Sequence, residues 1–178
     1  MLVPETSDPA EKLAWATELI DKQNRPLPAE KLIAESIDIY NSRRDELGLA
    51  QAYRMYGLFY KSATVNQWQE YYKKNGFRDR TVTFENRLNK AIEYFDNSRD
   101  LLQKNGDVHT ITNVYLQMAF TYELMDNKGA ACAAYDSSLK SEQANSKSNP
   151  DLVTIVPREF KSFEHGISVF KSRLGCKV

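Results

Sequence analysis

The chain copies itself at a distance of 62 positions. The segment AEKLIAESIDIYNSRRDELGLAQAYRMYGLFY, from Ala29, lies without a gap over AIEYFDNSRDLLQKNGDVHTITNVYLQMAFTY, from Ala91. The coincidences fall at positions that packing would choose: Ala29 with Ala91, Ile33 with Phe95, Ser36 with Ser98, Tyr53 with Tyr115, Gly57 with Ala119 and Tyr60 with Tyr122. The start of the block recurs a third time as Ala131, Tyr135 and Ser138. A chain built from one repeated unit must bury each copy against the next, which restricts it to stacked, array-like architectures.

The unit itself is helical. Apolar residues recur at steps of three and four, as in Leu13, Ala16, Ile20 and in Phe160, Phe163, Ile167, Phe170, Leu174, and no stretch alternates as a strand would. Breaks are marked by NRPLP at 24–28, NG at 75–76 and 105–106, NKG at 127–129 and SNP at 148–150. These signals predict seven helices, near 9–22, 28–45, 48–64, 84–104, 107–126, 129–145 and 157–174. The segment 64–83 falls outside the repeat and reads as an insertion.

Small residues alternate with large ones in a fixed order. Tyr115-x-x-Met118-Ala119-x-x-Tyr122 is followed by Ala131-x-x-x-Tyr135-x-x-Ser138, and Tyr53-x-x-Tyr56-Gly57-x-x-Tyr60 by Ala91-x-x-x-Phe95-x-x-Ser98. A weaker unit reads Leu13, Ala16, Thr17, Ile20, then Ala29, Ile33, Ser36. Small side chains let two antiparallel helices approach, and the large ones fill the space beside each contact. This pattern resembles the tetratricopeptide repeat (TPR), in which the same order spans a helix-turn-helix. The 28-position step from Ala29 to Gly57 and from Ala91 to Ala119, plus twelve from Ala119 to Ala131, gives a repeat of forty. That is similar to the longer repeats of bacterial regulators and motor light chains. Two departures stand out: the closing proline is missing, and Ser replaces the last small Ala in all three units.

The resemblance implies one all-α domain over 1–178, with antiparallel helix pairs stacked as a short TPR-like superhelix. Its units are 10–46, 48–104 (carrying the insertion 64–83) and 107–145, closed by a capping helix at 157–174. An unrelated helical bundle with alanine-rich contacts is the alternative architecture. The TPR resemblance also implies a concave face lined by first helices, where Tyr53, Arg54, Asn113 and Gln117 are candidate contacts for a protein or peptide.

Charge and motif content narrow the function classes. Lys+Arg and Asp+Glu both number 24, so no net field favours nucleic acid or an anionic membrane. No apolar run reaches the roughly 20 residues a bilayer requires. His109 and His165 stand far apart without metal-ligand spacing, and neither GxGxxG nor GxxxxGK[ST] occurs. Carboxylates such as Glu30, Glu35 and Asp38, at helical spacing, read as solvated faces. The expectation is a non-enzymatic interaction module without cofactor or metal. The alternatives are a chaperone-like or neutralising partner of a secreted protein and, less favoured, a small enzyme.

The insertion TVNQWQEYYKKNGFRDRTVT mixes Trp68, Tyr71, Tyr72 and Phe77 with Lys73, Lys74, Arg78 and Arg80. Such a mixture suits a partner surface with Trp68 and Tyr72 as anchors and Arg78 and Arg80 as a charged rim. The spacing of Trp68, Tyr71 and Tyr72 equally suits internal packing of a helix, and stacking on single-stranded nucleic acid is the third reading.

Two cysteines complete the inventory. An antiparallel return of the last helix brings residue ~174 back toward the start of the preceding one to within ~10 Å, at 1.5 Å of rise per residue. Cys132 and Cys176 are therefore a candidate disulfide, against the alternative of one buried and one tail thiol. The N-terminus MLVPETSDPAEK has no secretory signal pattern, but an initiating Met on a mature exported chain would look the same. The cysteine placement favours a periplasmic or otherwise exported chain over a cytoplasmic one.

Overall fold

In the computed structural model, residues 5–149, 151 and 156–177 are described, and every regular element among them is a helix. They are α1 (Pro9–Asp21), α2 (Pro26–Arg43), α3 (Glu46–Lys61), α4 (Ala63–Gln67), α5 (Gln69–Asn75), α6 (Arg87–Lys104), α7 (Val108–Leu124), α8 (Lys128–Ser148) and α9 (Phe163–Leu174). The chain divides into two compact units, Met1–Asn105 and Gly106–Val178. In the first, α1 pairs with α2 and α3 with α6, and α3 also lies against α1 and α2; in the second, α7 pairs with α8, and α9 packs on α8.

Local chemistry starts most of the long helices. Asp8, Asp45, Asp107, Asn127 and Ser162 precede α1, α3, α7, α8 and α9, and each side chain accepts a hydrogen bond from a first-turn amide that the helix leaves unpaired. α2 starts differently. Pro26 occupies its first turn, where a missing N–H is harmless, so the Pro pair expected to break the chain begins a helix two residues early. Asn24, Arg44 and Asp126 turn the chain between paired or stacked helices at positive φ of 50°, 54° and 55°.

The small residues lie where the helices touch. Ala16, Ala29, Ala91, Ala119 and Ala131 are wholly inaccessible to solvent. A Cβ on Gly57 would stand 2.7 Å from the Phe95 ring, so only glycine lets α3 and α6 meet at this separation.

The serines that replace alanine have a shared task. Ser36 Oγ donates to the Pro9 carbonyl (3.1 Å), Ser98 to that of Ala50 (2.8 Å) and Ser138 to that of Thr112 (2.8 Å). All three are fully buried. Each of these bonds crosses from the second helix of a pair to the first and satisfies a buried hydroxyl, and Ser36 Oγ also reaches the Leu32 carbonyl of its own helix at 2.8 Å. Counting back seven positions from Ala16, Gly57 and Ala119 reaches those same three carbonyl residues. The close-contact position of the first unit is therefore Ala16, one residue before the Thr17 chosen by sequence pattern.

The insertion is anchored by a few buried side chains, although most of its residues are exposed. Thr64, Val65, Tyr72, Phe77, Val82 and Phe84 are buried. Tyr72 stacks on Phe77 with ring centres 4.2 Å apart, and both meet Phe59 of α3 edge-on at 6.3 Å. Thr64 Oγ1 donates to the carbonyl of Ile20 at the end of α1 (2.7 Å), and the Arg87 guanidinium lies 3.8 Å over the Phe84 ring. Aromatic burial and these ties fasten the segment between α3 and α6 to the rest of its unit.

In the second unit the last helix begins at Phe163, six residues after the position expected. Ser162 caps it, while Phe160 precedes it and folds back on Phe170, ring centres 5.3 Å apart. Phe170 in turn meets Phe120 of α7 (5.3 Å) and Tyr135 of α8 (5.6 Å). Lys171 pairs with Asp136 at 2.6 Å.

Candidate binding surfaces

The residues proposed from sequence separate into two groups by burial. Tyr72 is 1% exposed and serves as interior packing, which withdraws it as an anchor. Its period-of-four neighbour Trp68 is half-buried, and Tyr71 is 38% exposed. The Trp68 and Tyr71 rings meet edge-on at 6.0 Å, and Tyr71 stands edge-on to Tyr72 at 5.4 Å. Tyr71, on α5, thus rests on a buried stack, and Trp68, at the junction of α4 and α5, lies against Tyr71. Lys73, Lys74, Arg78 and Arg80 are exposed along the same stretch. Arg80 Nη1 donates to the Asn75 carbonyl at 3.0 Å, which holds the guanidinium near the end of α5.

Beneath this surface lies a carboxyl that sequence spacing placed in solvent. Glu30 on α2 is 2% exposed, because the turn after α5 covers it. Its Oε1 accepts from the Arg78 backbone amide (2.7 Å) and the Tyr56 hydroxyl (3.4 Å). Tyr56 stacks on Tyr60 at 4.8 Å, with Tyr94 at the same distance on another side. Burial pushes the Glu30 carboxyl up to about 7, against the opposing pull of the Arg78 amide and guanidinium. A carboxyl so enclosed faces the interior of its unit. It holds the insertion to α2, and no local pattern in the sequence distinguishes it from Glu35.

Tyr53 and Arg54 are half-buried on α3. The Tyr53 ring lies 5.6 Å from Tyr94, and Arg54 Nε donates to Gln51 at 3.1 Å. Asn113 and Gln117, half-buried on α7, belong to the other unit. Asn113 lines a cavity of ≈ 530 Å³ bounded by α7, α8 and residues 156–170. Leu116, Phe120, Phe163 and Ile167 contribute to its apolar wall, whereas His109, Thr112 and Glu142 contribute polar groups. The Phe160–Phe170 stripe, whose spacing reads as one face of a capping helix, roofs an opening that the spacing does not mark.

Cys132 near the start of α8 is bonded to Cys176 just beyond α9, with Cα atoms 5.8 Å apart. Gly175, at φ 62°, ends α9 in the left-handed conformation and turns the chain so that Cys176 faces α8. Among the described residues no group of His, Cys, Asp or Glu is placed to hold a metal ion, and no helix is long and apolar enough to cross a membrane. His109 Nδ1 lies 3.4 Å from the Asn145 amide, and His165 Nδ1 accepts from the Lys161 amide at 3.2 Å.

No protein-family model, curated protein or solved structure matches this chain. The architecture itself is all-helical, with stacked antiparallel pairs of the kind helical-repeat proteins use.

Proposed function

We propose that this chain is a non-enzymatic protein-interaction module of TPR-like, longer-repeat construction, with α9 as its cap. The observation that carries the reading is the aromatic pair Trp68 and Tyr71, held partly open on the buried Tyr72–Phe77 stack and flanked by four exposed cations. Rigid aromatics beside arginine form effective anchors, since little side-chain freedom is lost on binding and the rim selects partners by charge. A protein or peptide with an apolar centre and an acidic margin fits this surface. Tyr53, Arg54, Asn113 and Gln117 serve as further contacts on the first helices of their pairs. The Cys132–Cys176 bond supports an exported chain, since disulfides persist in oxidising compartments.

The test is co-purification of the tagged chain from its native cell, followed by mass spectrometry, with wild type beside a Trp68→Ala/Tyr71→Ala double variant. The expected result is a stoichiometric protein recovered by wild type whose affinity falls by at least ~2 kcal/mol in the variant, with little change in melting temperature. Equal recovery by both forms would remove the insertion from the binding surface. A large drop in melting temperature with unchanged affinity of the folded fraction would assign the pair to packing.

A further inference from the structure

The cavity of the second unit is polarised along its length. Its floor is α7, on which His109, Thr112 and Asn113 precede Leu116 and Phe120. The eleven steps from His109 to Phe120 advance about 16 Å along the helix axis. Antiparallel pairing sets the C-terminal half of α8 beside the polar end, as the bonds between Thr112 and Ser141 (2.9 Å) and between His109 and Asn145 (3.4 Å) show. Glu142 enters the lining there, 9% exposed, with Ser146 Oγ donating to its Oε1 at 3.1 Å. At the opposite end Phe120, Phe160 and Phe170 meet edge-on, each contact at 5.3 Å. A volume of ≈ 530 Å³ lies within the roughly 300–1,000 Å³ of small-molecule sites, which are mostly apolar with a few placed polar groups.

We propose that this cavity binds a small amphiphilic amine, its aliphatic or aromatic tail among Phe120, Phe160 and Phe170 and its ammonium head at the Glu142 carboxylate. The apolar end supplies burial without direction, and the carboxylate supplies the sign of charge. A buried carboxylate attracts a cation more strongly than an exposed one and repels an anion to a similar degree. An alkyl carboxylate of equal length therefore gains the same tail burial and is disfavoured at the head. The site is separate from the insertion surface and does not depend on it.

The experiment is calorimetric titration of the oxidised 178-residue chain at pH 8 with octylamine, octanol and octanoate, each below its micellar concentration. Octylamine is expected to bind about tenfold or more tighter than octanoate, with octanol between. In Glu142→Gln, which keeps an acceptor for Ser146, that preference falls to within about threefold. Leu116→Trp, which fills the cavity, reduces octylamine binding by about tenfold or more. Octanoate binding as tightly as octylamine, or no binding of any probe at millimolar concentration, overturns the proposal. A preference that survives in Glu142→Gln, or octylamine binding unchanged in folded Leu116→Trp, does so too. Should Leu116→Trp fail to fold by circular dichroism, the wild-type and Glu142→Gln titrations decide the matter.

Discussion

Replacing Glu30 by Gln isolates the electrostatic consequence of covering α2 with the insertion. In the folded chain burial raises the Glu30 carboxyl from 4.5 to about 7. Between those values the native state keeps a proton that the unfolded chain has released, so stability falls as pH rises from about 4.5 to about 7 and is level above it. A displacement of about 2.5 pH units, at 1.36 kcal/mol each, amounts to roughly 3 kcal/mol lost by pH 8. Glu30→Gln keeps a carbonyl oxygen for the Arg78 amide and the Tyr56 hydroxyl but has no charge to desolvate. Urea denaturation of both forms at half-unit steps from pH 4 to 8.5 gives the difference directly, since groups common to both cancel. The variant should match or fall slightly below wild type near pH 4.5 and exceed it by up to roughly 3 kcal/mol at pH 8. Parallel curves, or a variant less stable than wild type at pH 8, would refute the claim that this carboxyl is buried against its preference.

Gly57→Ala forces the buried Phe95 ring to move and should destabilise the first unit by ~1–3 kcal/mol, read by chemical denaturation. Asp126→Gly relieves a side chain held at φ 55° on the exposed turn before α8 and should raise stability by roughly 1 kcal/mol, visible as a higher melting temperature. Reduction of the Cys132–Cys176 bond, which closes a loop with a separation of 44 residues, should cost up to about 4 kcal/mol of second-unit stability on the chain-entropy account, measured by denaturation with and without reductant.

The helix pairs were legible because the same periodic signal appears three times and the caps are local. Asp45 before α3 and Asn127 before α8 act within three residues of themselves. The cross-helix role of Ser36, Ser98 and Ser138 could be noticed as a departure but not explained, since their acceptors lie on the first helix of each pair. Long-range cover was the part that spacing could not express. Tyr71 and Tyr72 are adjacent and chemically alike, yet one faces water and the other lies on Phe77, a distinction set by how α5 is rotated against α3. Glu30 and Glu35 share a helix, and only the first lies under the turn at Arg78. The cavity beside α7 was missed for a related reason: an aromatic stripe indicates that a face is covered, without revealing whether the cover is filled.

The bond between Cys132 and Cys176 also decides how the chain would carry a mechanical load. A pull applied to the two termini passes from α8 to the tail through sulfur, and the residues between the cysteines bear no tension. With a separation of 44 residues, the oxidised chain would extend about 150 Å less than the reduced one, at 3.3–3.6 Å per residue. α7 lies outside that ring and would be drawn off α8 while α9 stayed tethered to it, so the cavity floor would leave before its roof.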